Sequence, residues 1–541
     1  MSQPHTFVRP RLALILCLLG LALLVAPAPT AQAATITVIQ TSDGSANPAN
    51  CPGTLCRLRD AIAKAGSGDT INFAFTSATI MLTQGQLLIN KDLTITVSGT
   101  CDVSIDAQGA SRVFDVAAGK RLTINGVCIQ NGAAPSTGNG GGIRVQSGAT
   151  LNLSNLTIQD NQATGAGPRG GAIYNAGTLN ISGFAFFSGN FAGTISSLND
   201  GGAIYNDGAA TLSGTTDSTG IHSISFFSNH ASLDGGTIYN NGTMTVTSTT
   251  VGPGGAFSGG GVYNSGTLTV LQSLISQNNA ATAGGGIYNS SSGTLTVTDS
   301  TLALNGATNN GAGIYNEGTV NIHRSTLTGN VSDATGGGIS NTNGGTLTIS
   351  NGTISGNDAK DDGGGIWNSG ASSTANLNNV TVARNTADSD STSGGNGGGI
   401  FNSAGTVNVK NTIMSGNTDD SAGTKHPDCS GTLNSQGYNL LRIDTGCTGL
   451  NASGDQVGTS GNPLNALLDT LAANGGPTQT HALLPGSPAI NKGNPAVPGS
   501  GGGACAALDQ RSYPLGAAAG RCDIGAFERV FLLDLPIVFR Q

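Results

Sequence analysis

The strongest constraint in this sequence is a unit that recurs down its middle, Gly-Gly-x-Ile-aromatic-Asn. Its apolar residue falls at Ile143, Ile173, Ile204, Ile238, Val262, Ile287, Ile314, Ile339, Ile366 and Ile400, at intervals of 30, 31, 34, 24, 25, 27, 25, 27 and 34 residues. Self-similarity of this kind marks stacked copies of one supersecondary unit. Each copy carries three short strand signals. In one copy Ile287-Tyr288-Asn289 is followed by Thr294-Leu295-Thr296-Val297 and then by Ser300-Thr301-Leu302-Ala303-Leu304-Asn305. Period-two alternation puts Leu295 and Val297 on one face and Thr294 and Thr296 on the other. Three short strands cannot bury a core alone; coiled and stacked, they pool their Ile, Leu and Val in one interior. The expected fold is therefore all-β, a single-stranded parallel β-helix with three strands per coil and ten or more coils. Ile173, Leu179, Ile287, Leu295, Val297 and Leu302 should point inward. A propeller blade needs about 40–45 residues, longer than the common interval here.

Gly accounts for 85 of 541 residues and charged residues for only 10%. Such a composition permits disorder, but the periodic apolar residues argue for a packed core. Asn175, Asn206, Asn240, Asn264, Asn289, Asn316, Asn341, Asn368 and Asn402 share one slot of the repeat. They suit left-handed corners, and stacked they can hydrogen-bond coil to coil. The net charge of −8 and the lack of a basic patch exclude a nucleic-acid partner.

Residues 1–33 read as a signal peptide: Arg9 and Arg11, an apolar run from Leu12 to Ala26, then Ala31-Gln32-Ala33, with cleavage expected after Ala33. The apolar run is short for a membrane span and Pro27 and Pro29 break it, so no transmembrane span is expected in the mature chain, which would be secreted or held at the cell surface. Eight cysteines remain, in two outer groups: Cys51, Cys56, Cys101, Cys128, and Cys429, Cys447, Cys505, Cys522. Each group admits three connectivities. Cys101 and Cys128 lie 27 residues apart, close to one coil, so stacking brings them together. Local spacing favours Cys51–Cys56, Cys429–Cys447 and Cys505–Cys522. An oxidising compartment and stapled ends follow. Residues 57–65 read as a short amphipathic helix, with Leu58, Ala61 and Ile62 on one face and Gly66 at its end. It would close the first coil. The resulting organisation is a cap over 34–70, repeats over 71–417, a C-terminal module over 418–528 and a tail over 529–541.

The repeat resembles the right-handed parallel β-helix of the pectin-lyase-like superfamily. Gly171-Ala172-Ile173 with Phe187-Ser188-Gly189-Asn190 also resembles the paired short motifs of polymorphic outer-membrane adhesins, over a few coils only. Cys56-Arg57-Leu58-Arg59-Asp60-Ala61-Ile62 is similar to an N-terminal module named for Cys-Ser-Leu-Arg-Glu-Ala-Ile, which accompanies secreted β-helix proteins; Arg57 and Asp60 depart from it. Asn474-Gly475-Gly476-Pro477-Thr478-Gln479-Thr480-His481, Asp509-Gln510-Arg511 and Cys522-Asp523-Ile524-Gly525-Ala526-Phe527-Glu528 resemble the type Q choice-of-anchor module of surface proteins. These resemblances imply a secreted or surface-held rod.

No catalytic residue is nominated. From Ile143 to Asn417 the only lysines are Lys360 and Lys410 and the only Glu is Glu317. His222, His230 and His323 look isolated. Two features line up by stacking. The slot after the core Ile holds six of the eight tyrosines and the only Trp. Tyr239, Tyr263, Tyr288, Tyr315 and Trp367 are the candidate ligand-binding residues, as an exposed aromatic stack that is either structural or a platform for sugars or a protein partner. Acidic loops form the second feature. Asp358, Asp361, Asp362, Asp388 and Asp390 are the candidate metal ligands, with calcium as the candidate cofactor, because stacked carboxylates repel unless a cation joins them. The expected function is a non-catalytic structural or adhesive rod with a face for an extracellular polysaccharide or another surface protein. The alternative is a carbohydrate-active enzyme, a polysaccharide lyase or glycoside hydrolase, with Arg384 or Lys360 beside the acids. A third reading is ice binding by outward Thr-x-Thr pairs such as Thr294/Thr296.

Overall fold

The computed structural model describes residues 33–530, apart from 137, 166, 168, 195–197, 392–393 and 517–519. The signal-peptide segment and residues 531–541 of the tail therefore lie outside the described residues.

The chain forms a parallel β-solenoid of about 13 turns. Successive coils pair in register. Ile287 lies between Val262 and Ile314, and Leu295 lies between Leu268 and Val320. The six residues expected inside are all buried. The outward Thr294 is exposed and Thr296 half-exposed, as the alternation requires. To the three expected strands the structure adds a fourth, two residues long. One coil reads Ile287–Asn289, Thr294–Thr298, Thr301–Ala303 and Gly306–Ala307. Asp299 and Leu304, at φ 51° and 58°, turn the chain before and after the third strand. The first strands stack as a 14-stranded sheet, most of the fourth strands as a 10-stranded one, and the second and third together as a sheet of 26.

The asparagines expected at left-handed corners are not there. Asn175 to Asn368 in that slot end the first strand, with buried inward side chains. Each amide nitrogen donates to the amide oxygen of the next coil, at 2.8 Å for Asn264 to Asn289 and 2.9 Å for Asn289 to Asn316. It also donates to backbone carbonyls, as Asn289 does to Gly293 and Thr319. An extended backbone with the amide turned inward pairs both amide hydrogens inside the core, adding a second donor at Gly293 O beside the Thr319 N–H, and this outweighs the preference of Asn for left-handed corners.

A second ladder, between the third and fourth strands, runs through Asn161, Asn190 and Asn229 and then through Asn278, Asn305, Asn330, Asn357, Asn385 and Asn417. It ends on Asp428, whose carboxylate accepts from Asn417 at 3.0 Å. The ladder has one gap, at Gly254, which leaves Asn278 Oδ1 without a partner. Thr237 stands where the neighbouring coils carry Ala203 or Gly261, and its hydroxyl lies 2.5 Å from where a Gly254 Cβ would sit. The larger side chain fills the space of the missing amide.

The parallel pairing extends beyond 71–417 at both ends. Thr35–Val38 pairs with Thr70–Phe73, and Leu440–Leu441 pairs with Ile413–Met414 and with Gln456–Val457. The helix spans Leu58–Lys64 and buries Leu58, Ala61 and Ile62, one residue short of the expected end because Ala65 leaves the helical region. Asp60 is fully buried and accepts from Arg57 and Asn50 side chains and the Asn47 backbone. Disulfides join Cys51–Cys56, Cys101–Cys128, Cys429–Cys447 and Cys505–Cys522, the four pairs expected from spacing. The described residues of 464–528 turn back and lie along the solenoid wall. Ile413 and Leu440 there pack with Ala466, Leu483, Ala489 and Ile524. Gly525, at φ 99°, approaches so closely that a Cβ would sit 2.7 Å from Ile413 Cδ1.

Asn289→Ala removes an acceptor from Asn264 and a donor from Asn316. Each buried group left unpaired costs about 1–3 kcal/mol. The variant should lose about 2–5 kcal/mol of unfolding free energy in urea. A loss below about 1 kcal/mol would show that the ladder contributes little.

Candidate functional site

The tyrosine slot forms one column. Ring centroids of Tyr205, Tyr239, Tyr263 and Tyr288 are 4.7, 4.9 and 4.8 Å apart with interplanar angles of 5° and twice 7°. In-register strand pairing sets this spacing, since each Tyr follows a paired core residue. Tyr315 continues the column, tilted by 31°. The rings are half-buried rather than exposed, and Tyr205 is only 2% exposed. Each inner ring has both faces covered by its neighbours, so the column presents ring edges and phenol oxygens. Burial raises the phenol pKa values along it, to about 12 at Tyr174 and Tyr315. Asp207 accepts from Tyr174, and Glu317 from Tyr288 and Tyr315. Trp367 is separated from the column by Ser340 and pairs in register with Phe401. Its indole Nε1 is buried without a partner.

The five aspartates nominated for calcium do not converge. Asp358 lies on a fourth strand and Asp362 ahead of the glycines, while Asp388 is buried after Thr386–Ala387. Asp362 accepts from Asn396 at 3.1 Å, and burial raises its pKa. Among the described residues, no three His, Cys, Asp or Glu side chains come together in a set that could hold a metal ion. The basic groups considered beside these acids are engaged elsewhere. Lys360 pairs with Asp333 at 2.7 Å, and Arg384 donates to the backbone of Asp469 at 3.2 Å.

Asp200 and Asp234 do stack, because their loops pair coil to coil through Gly201 N to Asp234 O at 2.9 Å. Burial, and then the charge of Asp200, push Asp234 up to about 7. A carboxyl whose folded pKa exceeds its unfolded value of 3.8 stabilises the fold below that value and loses this contribution as pH rises through 7. Asp234→Asn should therefore flatten the decline in melting temperature between pH 4 and pH 8 and melt higher than the parent at pH 8. A parallel pair of curves would contradict this.

A shallow, open groove on an outward face was not legible in the sequence. Phe191, His230, Gly255, Asn279, Gly306 and Val331 form one column on the outer side of the fourth strands. Gly255 and Gly306 give this column its depth. A Cβ at Gly255 would lie 2.7 Å from His230 Nδ1, and one at Gly306 2.5 Å from Asn279 Oδ1. The result is a groove of about 830 Å³ that also takes in Phe257, Thr308 and Asp333. Phe191, Phe257 and Val331 are 36%, 51% and 43% exposed. Five steps of about 4.8 Å between its six coils make it about 24 Å long. His230 had read as isolated because its neighbours come from other coils. The one available signal was the x-Ala pair that follows most of the ladder asparagines, as in Asn278-Asn279-Ala280 and Asn305-Gly306-Ala307, though not Asn330 or Asn417.

No protein-family model matches the chain, and no curated protein or solved structure matches it significantly. No helix among the described residues is long and apolar enough to cross a membrane. Four disulfides fit an oxidising, extracellular setting.

Proposed function

We propose that the chain is a secreted or surface-held rod whose role is to bind rather than to catalyse. The observation that carries this reading is the long groove over the fourth strands, with exposed Phe191, Phe257 and Val331 set among Asn279, Thr308 and His230. A groove that runs across successive coils suits a partner that is itself extended, such as an extracellular polysaccharide. Unstacked rings offer the flat apolar faces that the tyrosine column keeps covered. The resemblances at the two ends support secretion and surface attachment: the helix-bearing N-terminal motif, and the C-terminal motifs like those of choice-of-anchor modules. Residues 464–528 then act as the part that joins the rod to its attachment.

Phe257→Ala should reduce retention on the bound polysaccharide or cell surface at least tenfold. It should leave the melting temperature within a degree or two, since the ring is half in solvent. Binding that survives Phe257→Ala and Val331→Ser together would remove the groove from the account.

A further inference from the structure

One wall column of the solenoid ends under the C-terminal segment. Thr326, Thr353, Thr381 and Ile413 pair in register along it. Thr326 Oγ1 donates to Gln479 O at 2.6 Å and accepts from Gln510 Nε2 at 2.9 Å. Thr353 Oγ1 donates to Gln510 Oε1 at 2.7 Å, and the Ala526 backbone N–H donates to Thr381 Oγ1 at 3.1 Å. The cover stops at Pro477 and Thr478, where Thr478 Oγ1 donates to Arg324 O at 2.9 Å.

The same column continues uncovered through Thr301, Leu274 and Thr250. Leu274 and Thr301 line a cleft of about 700 Å³, bounded on one side by Gly476–Gln479. On the other side stands a hairpin inserted in the 34-residue interval between Ile204 and Ile238. Thr216 and His222 bridge its two arms. Asp217 Oδ1 holds its tip, accepting from the backbone of Thr219 at 2.8 Å and Ile221 at 3.0 Å. His222 Nδ1 lies 3.0 Å from Thr250 Oγ1, which ties the hairpin to the wall. Three segments distant in sequence thus build one concavity, of a volume within the roughly 300–1,000 Å³ usual for ligand sites.

We propose that this cleft binds a neutral oligosaccharide. Its polar groups are chiefly hydroxyls and amides, Thr216, Gln272, Thr301 and Gln479, with the His222 imidazole, whose pKa burial lowers, set around the apolar Leu274 and Pro477. A sugar ring presents that same pairing of hydroxyl rim and C–H face. Among the described residues no Lys or Arg lines the cleft, and the one carboxylate there, Asp299, is held by Arg324 through bonds of 2.7 and 2.8 Å. Nothing there attracts a uronate or a cation. A peptide strand finds no edge, because the backbone groups of this wall are engaged in coil-to-coil pairing. Further along, the same column binds neutral amide and carbonyl groups through its threonine hydroxyls, and a sugar hydroxyl would meet the same donors and acceptors. The cleft is on a different face from the groove over the fourth strands, and the inference does not rest on that groove being used.

The test uses the full chain on an array of gluco-, manno- and xylo-hexasaccharides, with oligogalacturonate and extended peptides alongside, followed by calorimetry on the best ligand. Gln272→Asn keeps a residue suited to the left-handed φ of 47° while shortening the amide, and Leu274→Glu puts a charge on the floor. Each should weaken the neutral sugar at least tenfold with melting unchanged, and Phe257→Ala should leave it untouched. Thr301→Val serves if Leu274→Glu fails to fold. The proposal is overturned if no neutral hexasaccharide binds at millimolar concentration, if only uronates or peptides bind, or if sugar binding survives the cleft variants. Loss on Phe257→Ala alone would also overturn it, while leaving the fourth-strand groove as the binding face.

Discussion

The structure depends on the buried asparagine amide. A solenoid with four short strands per coil turns sharply between them, and each turn leaves backbone groups that no strand ladder reaches. Buried and unpaired, these would be costly. Asn305 shows the solution. Its backbone N–H and its Nδ2 both donate to Asn330 Oδ1, at 3.1 and 2.9 Å, and Nδ2 also donates to the carbonyl of Ile275 in the coil before. One side chain therefore links three coils and fixes their register. The apolar core, which is not directional, could not do this alone. The tyrosine column and the outward threonines follow as consequences, since register places like on like.

Much of the fold was legible because the repeat places the same residue type in the same slot. The period-two pattern of Thr294–Val297 assigns inside and outside directly, and a 27-residue interval puts Cys101 beside Cys128. The asparagine slot was legible as a ladder but not as a conformation. The preference of Asn for left-handed φ is a local tendency, and a long-range network overrides it. The left-handed positions fall in other slots of the coil, on Asn155, Asn351, Asn379 and Asn411 in some coils and on Gln272 or Leu304 in others. The two-residue fourth strand was invisible because two residues carry no period.

The candidate sites were less legible, for a related reason. The repeat makes a slot obvious, as with the tyrosines, but says nothing of whether its face is open. Stacking at 4.8 Å closes ring faces that a single coil would expose. Concavity arises where the repeat is broken: by glycine in place of a larger side chain at Gly255 and Gly306, by the hairpin at Thr216–His222, and by the C-terminal segment that returns over the wall. Deviations from the repeat, more than the repeat itself, shape the surfaces on which a rigid rod can hold a partner.

Native-state hydrogen exchange tests the central claim that the asparagine ladders lock the coils. The backbone N–H groups of Asn278, Asn305 and Asn330 lie outside the strands, and each donates to the amide oxygen of the next coil. They should exchange as slowly as the strand amides of Leu295 and Leu302. Exchange at the rate of the outward loops would mean that the corners open freely and that the core alone holds the solenoid together.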